Sequence, residues 1–265
     1  MARFVTWNVN SIKARLEQVT SWFRTAKPDV AMLQEIKCTD ADFPGEAFEE
    51  LGYNVATVGQ KTYNGVALLS RHPLSVEIKA LPGGTGDDHA RYIEGLVELP
   101  GAGARKVVRV ASIYLPNGNP APGEKFDYKL AWMDRLIEHA RALLAAEEML
   151  VLGGDYNVCP TDADVYDPEG WRDDALCRPE SRASFRKLLY LGYTDAVRVH
   201  HAEPGLYSFW DYQAGAWQKD HGLRIDHLLL SPQATDRLAD SGIDRKPRGK
   251  EKPSDHVPVW CELEL

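Results

Sequence analysis

The sequence is poor in cysteine. Cys38, Cys159, Cys177 and Cys261 lie far apart in a 265-residue chain, and no two form a CxxC pair. That spacing argues against a zinc site and a disulfide scaffold, and predicts reduced structural thiols in a cytoplasmic protein. Long apolar runs are also missing: none approaches the roughly 18 residues a membrane span needs. The opening Met1-Ala2-Arg3-Phe4-Val5-Thr6-Trp7-Asn8 passes straight into strand-like sequence, so no signal peptide is expected. There is no low-complexity tract, heptad run, short-period repeat or Pro/Gly-rich linker, which favours one domain over residues 1–265. Positive charge is short too, with a formal net charge of −8. Net charge governs solubility and non-specific association, whereas a local basic stripe can still attract phosphates. Carboxylates gathered around cations also make a metal-free count look acidic, so charge leaves the partner open.

What is present is ordinary for a soluble globular protein, 44% apolar and 26% charged, and long enough for one α/β domain with a generous core. Strand-like runs rich in Val, Ile and Tyr fall at about 2–8, 29–34, 53–58, 64–70, 74–81, 91–98, 106–115, 149–154, 206–210, 223–230 and 256–264. Ile12, Leu16, Val19 and Phe23 share a helical face. Phe126, Leu130, Met133, Ile137, Ala140 and Leu144 predict a longer helix over about 123–146, and a third is expected near 181–191. Strands that outnumber scattered helices predict two packed sheets covered by helices. Lys246 to Lys252 (KPRGKEK) is expected to be a loop.

Polar residues recur at the C-terminal ends of the apolar strands. Phe4–Trp7 leads to Asn8 and Asn10, and Val30–Gln34 to Glu35. Val110–Ile113 leads to Tyr114 and Asn117, and Leu150–Gly154 to Asp155 and Asn157. Leu223–Ile225 carries Asp226 and His227, and Ser254-Asp255-His256 precedes Val257–Trp260. A single Asp or Asn after a strand is ordinarily a turn former or helix cap. Six such places supplying acids, amides and a histidine converge on one site. The residue types suit phosphodiester hydrolysis: a hard cation needs oxygen ligands, for which Glu35 is the first choice, with Asn8, Asn10 and Asp255 nearby. Asp155 with Asn157 can orient a water. Tyr114, Asn117, Asn157 and His256 can face a phosphate, and an Asp226–His256 pair would raise the imidazole's pKa. The sequence leaves the general base open between Asp155 and His256, favouring Asp155 because an imidazolium is a poor base. His72, His89, His139 and the His200-His201 pair lack spaced acidic partners and are expected in surface or core roles.

Thr6-Trp7-Asn8-Val9-Asn10-Ser11, Leu33-Gln34-Glu35-Ile36-Lys37, Asn64-Gly65-Val66-Ala67, Gly153-Gly154-Asp155-Tyr156-Asn157-Val158, Leu223-Arg224-Ile225-Asp226-His227 and Ser254-Asp255-His256 together resemble the exonuclease III family of abasic-site endonucleases. That family is part of the endonuclease/exonuclease/phosphatase superfamily. The resemblance runs from residue 3 to the end. It implies a deoxyribonuclease I-like α/β fold, a four-layer α-β-β-α sandwich with two packed mixed β-sheets. It also implies cleavage 5′ to abasic sites, 3′-to-5′ exonuclease action on duplex DNA and 3′-phosphatase or phosphodiesterase activity, with magnesium as cofactor and manganese as a possible substitute. Position by position, Glu35 resembles the family's metal-binding Glu, Asp155 and Asn157 its water-activating pair, Asp226 and His256 its Asp–His pair, Tyr114 its phosphate-contacting Tyr, and Asn117 its active-site loop Asn. Asn8 and Asn10 match residues beside the metal, and Asp255 an acid placed to help His256 or a second cation. Ser208-Phe209-Trp210-Asp211-Tyr212 resembles the segment lining the abasic-sugar pocket, with Leu223 as a second wall. Asn10 stands where some relatives have Asp, and the 117–123 loop lacks the Arg that some relatives push into DNA.

Duplex binding would rest on basic side chains contacting phosphates. Candidates are Arg91, Lys125, Lys129, the run Arg178, Arg182, Arg186 and Lys187, and the loop Lys246, Arg248, Lys250 and Lys252. The expected substrate is duplex DNA with abasic sites or blocked 3′ ends, processed by a monomer with no protein partner. Two alternatives compete: a phosphatase or phospholipid-cleaving enzyme of the same superfamily, and a catalytically dead binding module on this fold.

Overall fold

The computed structural model describes residues 1–101, 103 and 105–265. Its strands are β1 (Ala2–Asn8), β2 (Val30–Gln34), β3 (Asn54–Val58), β4 (Val66–Ser70), β5 (Leu74–Ile78), β6 (Tyr92–Pro100), β7 (Arg105–Tyr114), β8 (Leu150–Asp155), β9 (Thr194–Asp195), β10 (Asp226–Leu230), β11 (Leu238–Ile243) and β12 (Val259–Leu263). They form two six-stranded sheets, ordered β11-β12-β1-β2-β4-β3 and β5-β6-β7-β8-β10-β9. Each sheet is mixed: β1 runs parallel to β2 and β7 parallel to β8, and the remaining pairs are antiparallel.

Between the sheets lies a dry layer including Phe4, Met32, Leu68, Ile93, Val110, Val151, Leu228 and Val259. The helix Leu16–Ala26 covers the outer face of the first sheet, packing Val19 and Phe23 on Trp7, Ala31 and Leu33. The helices Glu124–Leu144 and Pro179–Leu191 cover the second sheet through Trp132, Met133, Leu136, Phe185 and Leu188. The result is the expected four-layer sandwich. Strands buried on both faces read as near-continuous apolar runs, which is why β2, β4 and β8 were plain in the sequence.

Two departures have physical causes. The strand expected at 206–210 is reduced to isolated bridges, Phe209 to Leu223 and Phe209 to His256, because this segment lies on loops above the sheet ends. The edge strand β11 (LADSGI) was not anticipated, since a half-exposed edge has too few apolar residues to show a period. The loop expected at 246–252 contains a single 3-10 turn, Lys246–Gly249.

Register decides where the chemistry sits. Asp155 on β8 lies opposite Tyr114 of β7 on one side and Asp226 of β10 on the other, so three polar residues form one row at a sheet end. In the other sheet Asn8 lies beside Gln34, and Glu35 follows at once. Just beneath, the fully buried Gln34 donates to Ser112 Oγ (3.0 Å), Thr6 donates to Gln34 Oε1 (3.2 Å), and Ser112 donates to the Leu33 carbonyl (2.9 Å). This network ties the sheets together where the apolar layer ends, with its polar atoms paired.

Gly154 permits the close approach of β7 and β8, while Gly153 leaves room for Met32 of the facing sheet. A Cβ at Gly154 would lie 2.2 Å from the Ile113 carbonyl oxygen, a backbone atom that cannot swing aside. Gly154→Ala should therefore destabilise the fold by about 1–3 kcal/mol in denaturant unfolding, and an unchanged midpoint would contradict this packing.

Candidate active site

Glu35, Asp155 and His256 each present a ligand-type atom, and these atoms lie within 4.8 Å of one another. Asp155 (1% exposed) and His256 (4% exposed) are buried. Asn8 holds the carboxylates together: its amide nitrogen donates to Glu35 Oε1 (2.8 Å) and to Asp155 Oδ2 (2.9 Å), while its oxygen accepts from the Asn10 backbone (3.0 Å). Asn10, Glu35 and Asn157 have positive φ of 43°, 51° and 48°. Non-glycine residues in that region cost about 1–3 kcal/mol each, and such strain clusters at functional sites.

His256 Nδ1 lies 2.8 Å from Asp226 Oδ2, which also accepts from Ser208 Oγ (2.6 Å), and its Nε2 lies 3.8 Å from Asp155 Oδ2. Burial disfavours the imidazolium, yet the carboxylates of Asp226 and Asp155 outweigh it and raise the His256 pKa to about 10. Burial pushes the Asp155 carboxyl up to about 7; His256 opposes the shift, and Asp226 and Glu35 add to it. Burial also works against the Glu35 anion, but Lys37 and Asn8 hold its pKa below the ordinary value.

Asn157 donates its backbone N–H to Asp155 Oδ1 (3.0 Å) and its amide to the Leu115 carbonyl (2.9 Å), and its oxygen accepts from Asn117 (3.2 Å). Arg91 places its guanidinium 4.8 Å above the Tyr114 ring and donates to the Tyr114 carbonyl (3.3 Å). Burial, with Glu35 and Asp155 adding, keeps the Tyr114 hydroxyl a neutral donor, its pKa well above 10.

Asn10 and Asp255 form a separate outer pair, Asn10 donating to Asp255 Oδ1 (3.0 Å). Phe209 is half-buried, its ring 4.9 Å from that of His256, and it bridges to Leu223, which is buried in the cluster behind it. Trp210 is placed differently from expectation. It is fully buried, donates Nε1 to Asp220 (3.0 Å) and packs against Trp217, so it supports this segment from inside and does not line the site.

Two basic residues expected at DNA are internal as well. Lys129 is fully buried, its ammonium donating to the carbonyls of Asn117 (3.0 Å), Asn157 (2.6 Å) and Ala175 (3.1 Å). Burial lowers its pKa to about 7. Arg248 is buried over Tyr212 and Trp217 and donates to the Trp210 and Asp211 carbonyls. Lys125, Arg186, Lys187, Lys246, Lys250 and Lys252 are exposed.

Sequence reasoning also passed over Lys37, whose ammonium lies 2.7 Å from Glu35 Oε2 and 2.6 Å from Asn10 Oδ1, and Ser254, which donates to the Asn8 carbonyl (2.7 Å). Both stand inside quoted motifs. Their signal was proximity to Glu35 and His256 in the chain.

Glu35 and Asp155 bring carboxylate oxygens together, the ligand type a hard divalent cation prefers, and such a cation would compete with the Lys37 ammonium for Glu35. A histidine held as imidazolium by Asp226 is not a ligand, and Asn8 turns its N–H toward the carboxylates. The residues therefore fit a cation held chiefly by Glu35, with Asp155 within reach.

Such a carboxylate-amide-imidazolium cluster at the mouth of two packed mixed sheets defines a phosphoesterase-type site. Residues 5–256 match the Endonuclease/Exonuclease/phosphatase family, and the chain belongs to it. An exodeoxyribonuclease III of Haemophilus influenzae is 32% identical, the match covering 98% of this chain and 99% of that protein. A 3′ phosphatase from Neisseria, NExo, solved with a product DNA hairpin, superposes with a TM-score of 0.94 at 39% identity over the whole of both chains. An AP endonuclease from Archaeoglobus fulgidus gives a TM-score of 0.92 at 34% identity, again over both whole chains.

Because Lys129 pins the loops that carry Asn117 and Asn157, Lys129→Met should lower kcat at least about tenfold with a smaller change in KM, as loss of positioning does. A fall in KM affinity with kcat intact would place Lys129 at the substrate instead.

Proposed function

We propose that the chain is a DNA-repair nuclease of the exodeoxyribonuclease III kind, using magnesium, or manganese in its place. It hydrolyses phosphodiester bonds of duplex DNA at 3′ ends and beside abasic sites, and removes 3′-blocking groups, acting as a cytoplasmic monomer. The observation that carries this reading is the clamp of Asn8 on Glu35 and Asp155, facing an imidazolium held by Asp226. That arrangement sets an anion site for a cation and a water-activating carboxylate against a fixed positive charge.

A cation bound at Glu35 would neutralise charge on the phosphoryl oxygens. Asp155, free of its proton, accepts one from water, its orientation fixed by Asn8 and by the Asn157 backbone. His256, charged throughout the neutral range, and the Tyr114 hydroxyl stabilise the phosphate as negative charge develops. Phe209, backed by the buried Leu223, offers an apolar face for a sugar that lacks its base. The exposed lysines of the 246–252 turn, next to Asp255-His256, position the duplex without reading its sequence.

The test is cleavage of a labelled duplex carrying one abasic-site analogue, beside an undamaged control, with magnesium and with EDTA. Metal-dependent incision 5′ to the lesion is expected, and failure to cut either duplex would turn attention to inositol phosphates. Glu35→Ala should lower the rate by about 10²–10³ or more while leaving the fold intact by circular dichroism. Wild-type rates in that variant would refute the metal site.

The pH dependence follows from the two shifted groups. Asp155 must lose its proton to act, so activity should rise with pH through a limb at or below about 7, a nearby cation moving it down. His256 keeps its proton until pH approaches about 10. A fall in rate between pH 7 and 9 would contradict the imidazolium assignment.

A further inference from the structure

We propose that Tyr166 and His221 form a stacking platform for an unpaired nucleobase at the 3′ end of the strand being cut. This rests on the nuclease reading above and extends it to a base-binding subsite.

The two rings lie parallel, with centroids 4.3 Å apart and planes 7° from coincidence, and Trp171 stands edge-on to Tyr166 at 6.3 Å. Tyr166 is 36% exposed and His221 is exposed, so the stack ends in solvent. Core aromatics are buried, whereas these two rings stack on each other while both residues stay exposed. The pair is also fastened to the site. Tyr166 donates its backbone N–H to the Gly222 carbonyl (3.2 Å), and Val165 bridges to Leu223, Leu223 to Phe209, and Phe209 to His256. The platform therefore stands one step beyond that apolar face on a ladder that ends at the imidazolium.

Its surroundings choose the ligand. Asp167 and Asp220 flank the pair in sequence, and Glu169 is close by and exposed. Asp220 pairs with Arg245 (2.5 Å) and Glu169 with Arg172 (3.1 Å), so these charges offer phosphate no net attraction and the spot suits a flat, neutral group. A terminal phosphate must enter a recess where Asp155 and His256 are almost fully buried, and a strand end can reach it most readily once its last base pair has opened. The freed base then needs an apolar face. Aromatic rings accept any of the four bases, because every base has a π-face. The platform thus lowers the cost of fraying the terminal pair, and ends already unpaired by a mismatch gain most.

The experiment uses the full chain and a duplex ending in 3′-terminal 2-aminopurine opposite a non-complementary base. In EDTA, stacking on the wild-type protein should quench the probe, whereas His221→Ala and Tyr166→Ala should leave it bright and Tyr166→Phe should retain the quench. With magnesium, the preference for unpaired over paired 3′ nucleotides should fall about tenfold in the alanine variants. Since His221 is exposed, its variant carries the test even if Tyr166→Ala misfolds. Unchanged quenching and preference in His221→Ala, or equal loss on paired and unpaired ends, would overturn the platform. Wild type that cleaves duplex without quenching the probe would overturn it while leaving the nuclease reading intact. Wild type that cleaves no duplex would remove both.

Discussion

The rest of the site depends on one amide. Glu35 and Asp155 come from different sheets, and as neighbouring carboxylates they repel each other. Asn8, at the end of β1, donates one hydrogen bond to each, so its NH2 group satisfies both anions without adding charge. Two cations complete the balance: Lys37 beside Glu35, and His256 between Asp155 and Asp226. Burial raises both carboxyls, but at Glu35 the Lys37 ammonium and the Asn8 amide outweigh it, whereas at Asp155 burial prevails over His256, with Asp226 and Glu35 adding to it. The split between a low Glu35 and a high Asp155 follows directly, giving one carboxylate suited to holding a cation and one suited to taking a proton.

That arrangement is possible because the sheet ends are rigid. The row Tyr114, Asp155, Asp226 is a consequence of strand register, and a slip of one residue would turn Asp155 to the opposite face. Glycine at 154 allows the close packing of β7 on β8, glycine at 153 lets Met32 of the facing sheet approach, and the buried Gln34–Ser112 bond fixes the first sheet against the second. Further out, control passes to loops. Lys129 draws three of them together through backbone carbonyls, so a basic side chain deep in the protein serves geometry.

The sequence was most informative where burial is complete on both faces and where polar residues end an apolar run. The strands carrying Asn8, Glu35, Asp155 and Asp226 were legible for those reasons, and so was the family signature they carry. Three features were not legible. The edge strand β11 lacks a hydrophobic period because solvent covers one side of it. The 206–210 segment has strand-like composition but spends its hydrogen bonds on isolated bridges and loop contacts. Trp210, Lys129 and Arg248 carry side chains whose direction only tertiary packing determines. A basic residue on a helix flanking a site looks the same in sequence whether its ammonium meets a phosphate or three carbonyls.

That last ambiguity bears on how an acidic protein can engage DNA. With a net charge of −8, attraction cannot come from the whole molecule and has to come from a few exposed cations near the site. Removing Lys129 and Arg248 from the surface leaves fewer of them, chiefly Lys246, Lys250 and Lys252 beside the His256 loop and Lys125, Arg186 and Lys187 on the helices over the second sheet. Few phosphate contacts mean a shallow dependence of affinity on salt. Binding must then draw more on shape and apolar contact, for which Phe209 and its buried support are placed, than on charge. An enzyme that must act at any sequence and then let go is well served by that division. Loose electrostatics bring the DNA in, and only a phosphodiester that reaches the recess meets the imidazolium and the paired carboxylates.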